Sequence, residues 1–275
     1  MNKLTLIFAL TLGLMACVPT PNQERAASKE SAASEAKTQE QAQEPTWDRA
    51  SQDPVATELW EPVPPKVTPG AAGAPPSDAL VLFDGKDFGQ WEKVGGGKVG
   101  WEIDKEEGCM TVKGGTGSIQ TKKDFGSVQL HLEFRTPSEL QGEGQGRGNS
   151  GVFFMGKYEL QILDSYSSET YANGQAGAVY KQYPPLVNAT KAPGEWQTYD
   201  IVFIAPVFGE SGRMVRPATL TAFHNGVLIQ NHVAILGPVQ YKGQAIYTPH
   251  EAKLPLQLQD HGNPVSYRNV WIREL

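Results

Sequence analysis

Cysteine is nearly absent: the 275 residues include only two, Cys17 and Cys109. That excludes a disulfide-built scaffold and a thiolate zinc site. Basic blocks are missing too. The formal net charge is −6, and beyond the first few residues no run of Lys and Arg occurs. Nucleic acid is therefore excluded as a partner, because phosphate binding needs a basic footprint. No dinucleotide fingerprint, internal repeat or helical periodicity of useful length is present, which removes redox folds of the doubly wound type and helical bundles.

What is present begins with a leader pattern. Lys3 precedes an apolar stretch, Leu4 to Leu14, which is too short for a spanning helix. Leu14-Met15-Ala16-Cys17 follows. Charge, apolar length and a cysteine after small residues together resemble the bacterial lipobox. Residues 1–17 are thus expected to be a lipoprotein signal peptide, with Cys17 the lipidated residue. Val18, where inner-membrane retention would show Asp, points to the outer membrane. The expected location is exported and lipid-anchored to the cell envelope, on the periplasmic face. Residues 18–77 are rich in Ala, Gln, Glu, Ser and Pro and poor in large apolar side chains. Such a stretch buries too little surface to offset its ordering entropy and reads as a disordered tether. A short helix from about Ala50 to Trp60 is the expected exception.

From Asp78 to Leu275 the pattern has period 2. Expected strands are Leu80–Phe83, Gly100–Ile103, Cys109–Val112, Ser118–Thr121, Val128–Thr136, Gly151–Met155, Tyr158–Asp164, Ala176–Tyr180, Gln197–Ile204, Ala218–His224, Val227–His232, Leu254–Gln259 and Tyr267–Arg273. Gly- and Asn-containing turns separate them; His224-Asn225-Gly226 is a hairpin signal. Many short strands of this kind predict an all-β domain, a sandwich or jelly roll. Cys109 reads as a small buried apolar residue. His224, His232 and His250 are assigned by default to turns or surface.

Alternation also predicts faces. His131, Glu133 and Arg135 oppose Leu130, Leu132 and Phe134; Glu159 and Gln161 oppose Tyr158, Leu160 and Ile162; Gln257, Gln259 and His261 oppose Leu254, Leu256 and Leu258. Aligned across one curved sheet, these polar faces would make a cleft suited to sugar hydroxyls. The segment from Gln145 to Gly151 is Gly-rich, so backbone can approach a ligand there, with Arg147 and Asn149 as donors. Asp260 either orients His261 or caps its turn. His131, Glu133 and His261 are metal-ligand types, but no closed ligand set is visible, so a divalent cation is left open.

Phe83-Asp84-Gly85 with Trp91, Arg147-Gly148-Asn149-Ser150-Gly151, Tyr158-Glu159-Leu160-Gln161-Ile162-Leu163-Asp164-Ser165-Tyr166, Pro193-Gly194-Glu195-Trp196-Gln197, His224-Asn225-Gly226 and Leu258-Gln259-Asp260-His261-Gly262 occur in this order. Over residues 78–275 the chain resembles the 3-keto-disaccharide hydrolase domain family. The resemblance implies a concanavalin A-like (lectin/glucanase) jelly-roll β-sandwich acting on 3-keto-glycosides. The C3 ketone acidifies the C2 proton; its removal expels the C1 oxygen, and water addition completes a net hydrolysis. Such chemistry needs a base (Glu159 or His261), an acid (Glu133 or Asp164) and a positive group near the C3 oxygen (Arg135, Arg147 or Arg268, or a divalent cation). Gln161 and Gln259 join Asn149 as candidate sugar-binding amides. A carboxylate pair across strands, Glu133 with Glu159, stays open as the ordinary glycosidase alternative. A non-catalytic carbohydrate-binding or surface-scaffold lipoprotein on the same fold is the rival reading.

Overall fold

The computed structural model describes residues 54–71, 73–139 and 141–275. The expected leader, Cys17 and the first part of the expected tether lie outside them. The chain divides into two compact units, Met1–Pro65 and Lys66–Leu275. In the first, the expected helix from Ala50 to Trp60 lies in part outside the described residues; its described part holds one 3-10 turn, Pro54–Thr57, with no buried residue. Pro62, Pro64 and Pro65 follow closely and oppose any longer helix. Among the described residues, no helix is long and apolar enough to cross a membrane.

The second unit is an antiparallel β-sandwich. Eight strands form one sheet: β13 (Val227–Ala234), β12 (Thr219–His224), β9 (Gln197–Ile204), β6 (Val128–Arg135), β15 (Ser266–Glu274), β4 (Cys109–Thr111) and β3 (Glu102–Asp104) in order, with β1 (Leu80–Phe83) also pairing with β15. Five strands form the facing sheet: β2 (Trp91–Lys93), β5 (Ile119–Phe125), β14 (Leu254–Leu258), β7 (Ser150–Phe154) and β8 (Tyr158–Ile162). A small hairpin, β10 (Val207–Phe208) with β11 (Met214–Arg216), stands apart. Asn225 and Gly226 both take positive φ, the type I′ geometry that lets β12 turn into β13 without splaying the pair.

The core follows the alternation. Leu130, Leu132 and Phe134 of β6 and Tyr158, Leu160 and Ile162 of β8 are all buried in one cluster between the sheets. Phe154 stacks on Phe203 across the gap, with ring centroids 4.7 Å apart. Two buried phenols of the large sheet reach over to the small one: Tyr199 donates to the Gln161 carbonyl (2.8 Å), and Tyr267 meets Ser150 Oγ (2.6 Å). Burial raises both phenol pKa values, so these links stay neutral. They fix the backs of β7 and β8, the strands that carry the candidate site.

Three expectations need correction. Ala176–Tyr180 forms no strand of its own but bridges β8 through Leu160 and Val179. His224 is in the core rather than on a turn surface. Its Nε2 lies 2.8 Å from Gln197 Oε1, and burial pushes its pKa down to about 4. The tether also orders earlier than its composition suggests: residues 66–71 and 73–77 lie along the outer face of the large sheet. There the Gly73 carbonyl accepts from Trp271 Nε1 (3.0 Å) and Asn269 Nδ2 (2.9 Å).

Candidate functional site

The three polar strand faces do not line one sheet. β6 belongs to the large sheet, β8 and β14 to the small one, and each turns its apolar side inward. Glu133, Arg135 and His131 therefore sit on the opposite outer face of the sandwich from Glu159, Gln161 and Gln259. The Glu133–Glu159 carboxylate pair is ruled out by this placement. So is one ion held by His131, Glu133 and His261. Among the described residues no group of three or more His, Cys, Asp or Glu side chains could hold a metal.

On the large-sheet face, the candidates are occupied by one another. Glu133 accepts from Arg268 (2.7 Å) and Asn269 (3.0 Å). Arg268 and Arg135 lie over the Trp196 ring, at 4.1 and 4.6 Å from its centroid, and Arg135 pairs with Glu107 at 2.6 Å. His131 Nδ1 is 2.6 Å from Asp200 Oδ1, and its ring stacks on Trp271 at 5.2 Å. This is an ion-pair and cation–π network beside the 66–77 strap. Arg147 and Asp164 are withdrawn from the site in another way. They form a 2.6 Å ion pair, with Asp164 almost fully buried, in a separate cavity of about 500 Å³ at the sandwich edge. The pair fastens the 145–151 loop: Asp164 N donates to the Arg147 carbonyl at 3.1 Å.

The small-sheet face does gather candidates. Asn149, Glu159, Gln161, Gln259 and His261 line one cleft of about 330 Å³, together with Phe153, Tyr180, Val239 and Tyr241. Strand register sets the surroundings of Glu159. Phe153 of β7 is directly opposite on one side. On the other, the Leu160–Val179 bridge places Tyr180 opposite, with Tyr180 N donating to the Glu159 carbonyl at 3.2 Å. Gly151 leaves the room the carboxyl occupies, because a Cβ there would sit 2.6 Å from Glu159 Oε1 and 2.8 Å from Phe153 Cε2. Walled by these groups, Glu159 is only 5% exposed, and loss of water raises its pKa to about 8. Gln161, with its amide turned to suit its neighbours, donates to Glu159 Oε1 at 3.1 Å.

The rest of the cleft is less occupied. Among the described residues the Gln259 side chain makes no hydrogen bond, and its Oε1 is buried without a partner. A ligand group would supply one. His261 is exposed and has no hydrogen-bond partner among the described residues. Asp260 does not orient it: its carboxylate accepts from Gly117 N (2.8 Å) and Gly262 N (2.9 Å) and caps the turn. Tyr180 and Tyr241 were missed in the sequence. Tyr180 stood at the end of the expected Ala176–Tyr180 strand and Tyr241 lies on an irregular segment, and nothing in the alternation marked either ring as a neighbour of Glu159.

A buried carboxyl poised near neutrality, beside planar amides and an imidazole, is suited to moving a proton on a polar, uncharged ligand. Comparison with known proteins agrees in kind. A family model described as a 3-keto-alpha-glucoside-1,2-lyase-like domain matches residues 78–273. A crystal structure from Parabacteroides distasonis, described as a "putative glycosyl hydrolase", is 46% identical with a TM-score of 0.78, covering 84% of this chain and 100% of that one. A second protein of that organism and description is 21% identical with a TM-score of 0.51, over 72% of this chain and 94% of that one, and shares the fold. No curated protein matches.

Proposed function

Since the chain belongs to the 3-keto-alpha-glucoside-1,2-lyase-like domain family, we propose that it is an exported enzyme that cleaves 3-keto-glycosides in the Glu159 cleft. One observation carries the reading: Glu159 is a desolvated carboxyl with a pKa near 8 among three amide side chains. A base of that strength suits the C2 proton of a 3-keto sugar, whose acidity comes from enolate formation. Glu159 takes this proton. The Gln259 amide, which makes no hydrogen bond among the described residues, is the donor for negative charge growing on the C3 oxygen, the role first given to arginines; Gln161 and Asn149, already bonded to Glu159 and the Gln145 carbonyl, stand beside it. The C1–O bond then breaks, and water adds across the resulting enone, with OH to C1 and H to C2. We read the sandwich as a concanavalin A-like jelly roll, with the sugar on the outer face of its smaller sheet.

The test is to incubate the protein with a 3-keto-glucoside and with its unoxidised parent, with and without a chelator, and follow aglycone release. Release from the keto sugar alone, unaffected by chelation, is expected. Saturable binding of either sugar without release would replace this reading with a carbohydrate-binding lipoprotein.

The same reading places the enzyme on the cell envelope through a lipid on Cys17. It is supported by the charged, apolar and cysteine-terminated leader. Cys17→Ala is expected to move the protein from the membrane fraction to the soluble or uncleaved one. An unchanged distribution would remove the lipid anchor.

A further inference from the structure

With Glu133 on the far face and Asp164 locked to Arg147, the elimination lacks the acid that must protonate the departing oxygen. The cleft offers another. We infer that Tyr180 is the general acid, a conclusion that rests on the 3-keto-glycoside reading above.

Four observations carry it. The Leu160–Val179 bridge sets Tyr180 opposite Glu159 in register, so both side chains leave the same face of the pair, and both line the cleft. The Tyr180 hydroxyl is 2.7 Å from that of Tyr171, which is partly exposed. A proton path therefore runs from solvent to the cleft. Lys181 Nζ lies 4.4 Å from the Tyr241 ring centroid, where it also donates to the Tyr241 carbonyl (2.9 Å), and 5.9 and 5.4 Å from the Tyr180 and Tyr171 centroids, a cation shared by the three rings at this side of the cleft. Burial, the Tyr171 hydrogen bond and the nearby Glu159 all keep the phenol protonated at rest.

The step balances. Glu159 accepts the C2 proton and the C–H electrons form the enolate. As the enolate collapses to the enone, the C1–O bond breaks with its electron pair on the glycosidic oxygen, which takes the Tyr180 proton. In hydration the Tyr180 phenolate takes a proton from the water that attacks C1, and Glu159 returns its proton to C2. Both groups end as they began, and no oxidant or reductant is needed.

A sugar alcohol is a poor leaving group and needs this proton; 4-nitrophenolate does not. Tyr180→Phe keeps the ring and its packing. It is expected to lower the single-turnover rate of C1–O cleavage in a 3-keto-disaccharide by about 10²–10³-fold while changing the single-turnover rate of nitrophenolate release from 4-nitrophenyl 3-keto-glucoside, which precedes hydration, by less than about threefold. Equal losses on both substrates would make Tyr180 structural, and no loss on either would dismiss it. Both results overturn the inference, as does the same leaving-group pattern appearing in His261→Ala instead. Failure of the wild type on both keto substrates would sink the underlying reading, and the acid assignment with it.

Discussion

Glu159→Gln is expected to lower kcat/KM on a 3-keto-glucoside by about 10²–10⁴-fold, the range for removing a positioned base. Geometry favours a clean result, since Gln is nearly isosteric and fits the space above Gly151. The pH dependence is more specific. A base with a pKa of about 8 is mostly protonated at pH 6, so wild-type kcat/KM should climb through pH 8 and level off above it. The variant's residual rate should lack that limb. Stability should move oppositely. The folded-state pKa lies above the ordinary 4.5, so the fold holds a proton that the unfolded chain has lost. The stability from this group is therefore complete below about pH 4.5 and drains away as the pH rises to 8. The amide does not titrate. Urea midpoints should accordingly show the variant gaining on the wild type from pH 5 to pH 9, by an amount on the order of several kcal/mol. A wild-type activity profile flat across pH 7–9, with the variant still active, would transfer the base role to His261.

Removing Arg147 should give the largest loss of stability. Its guanidinium is the partner of Asp164, whose side chain is 2% exposed. Among the described residues, Arg147→Leu leaves that carboxyl buried with only Tyr166 N (3.2 Å) still donating to it, and such orphaned charges cost about 3–5 kcal/mol. Asp164→Asn added to Arg147→Leu should restore much of this by removing the charge. Activity should fall as well, because the same loop carries Asn149 and Gly151. The measurement is urea unfolding of the wild type and the two variants. A loss under about 1 kcal/mol in the single variant would mean that water reaches the carboxylate and that the loop is held by other contacts.

The strands were legible because burial imposes a period of two. Leu80–Phe83 and Gln197–Ile204 match to the residue, Ala176–Tyr180 is reduced to a bridge, and the others that were expected shift by a few residues. The two- and three-residue strands β2, β10 and β11 are too short to show a period. Glu159 and Gln161 were correctly turned outward by the same logic. Sheet membership was not legible, since it is set by pairings distant in sequence, such as Glu133 opposite Arg268. A face carrying His, Glu and Arg therefore looked the same whether it lined a ligand cleft or an ion-pair network. Tyr180 escaped for the converse reason: its place beside Glu159 depends on an isolated bridge that follows no pattern along the chain.

The strap at residues 66–77 bears on how this protein should be handled. The family model begins at residue 78, an inviting place to cut. Yet one carbonyl, that of Gly73, serves both the Trp271 indole and the Asn269 amide. A chain started at residue 78 would carry those donors bare, with Trp271 and the stacked His131 newly open to water. The shortened protein would expose a sticky aromatic patch on the back of its large sheet, and its poor solubility would say nothing about the cleft on the other side.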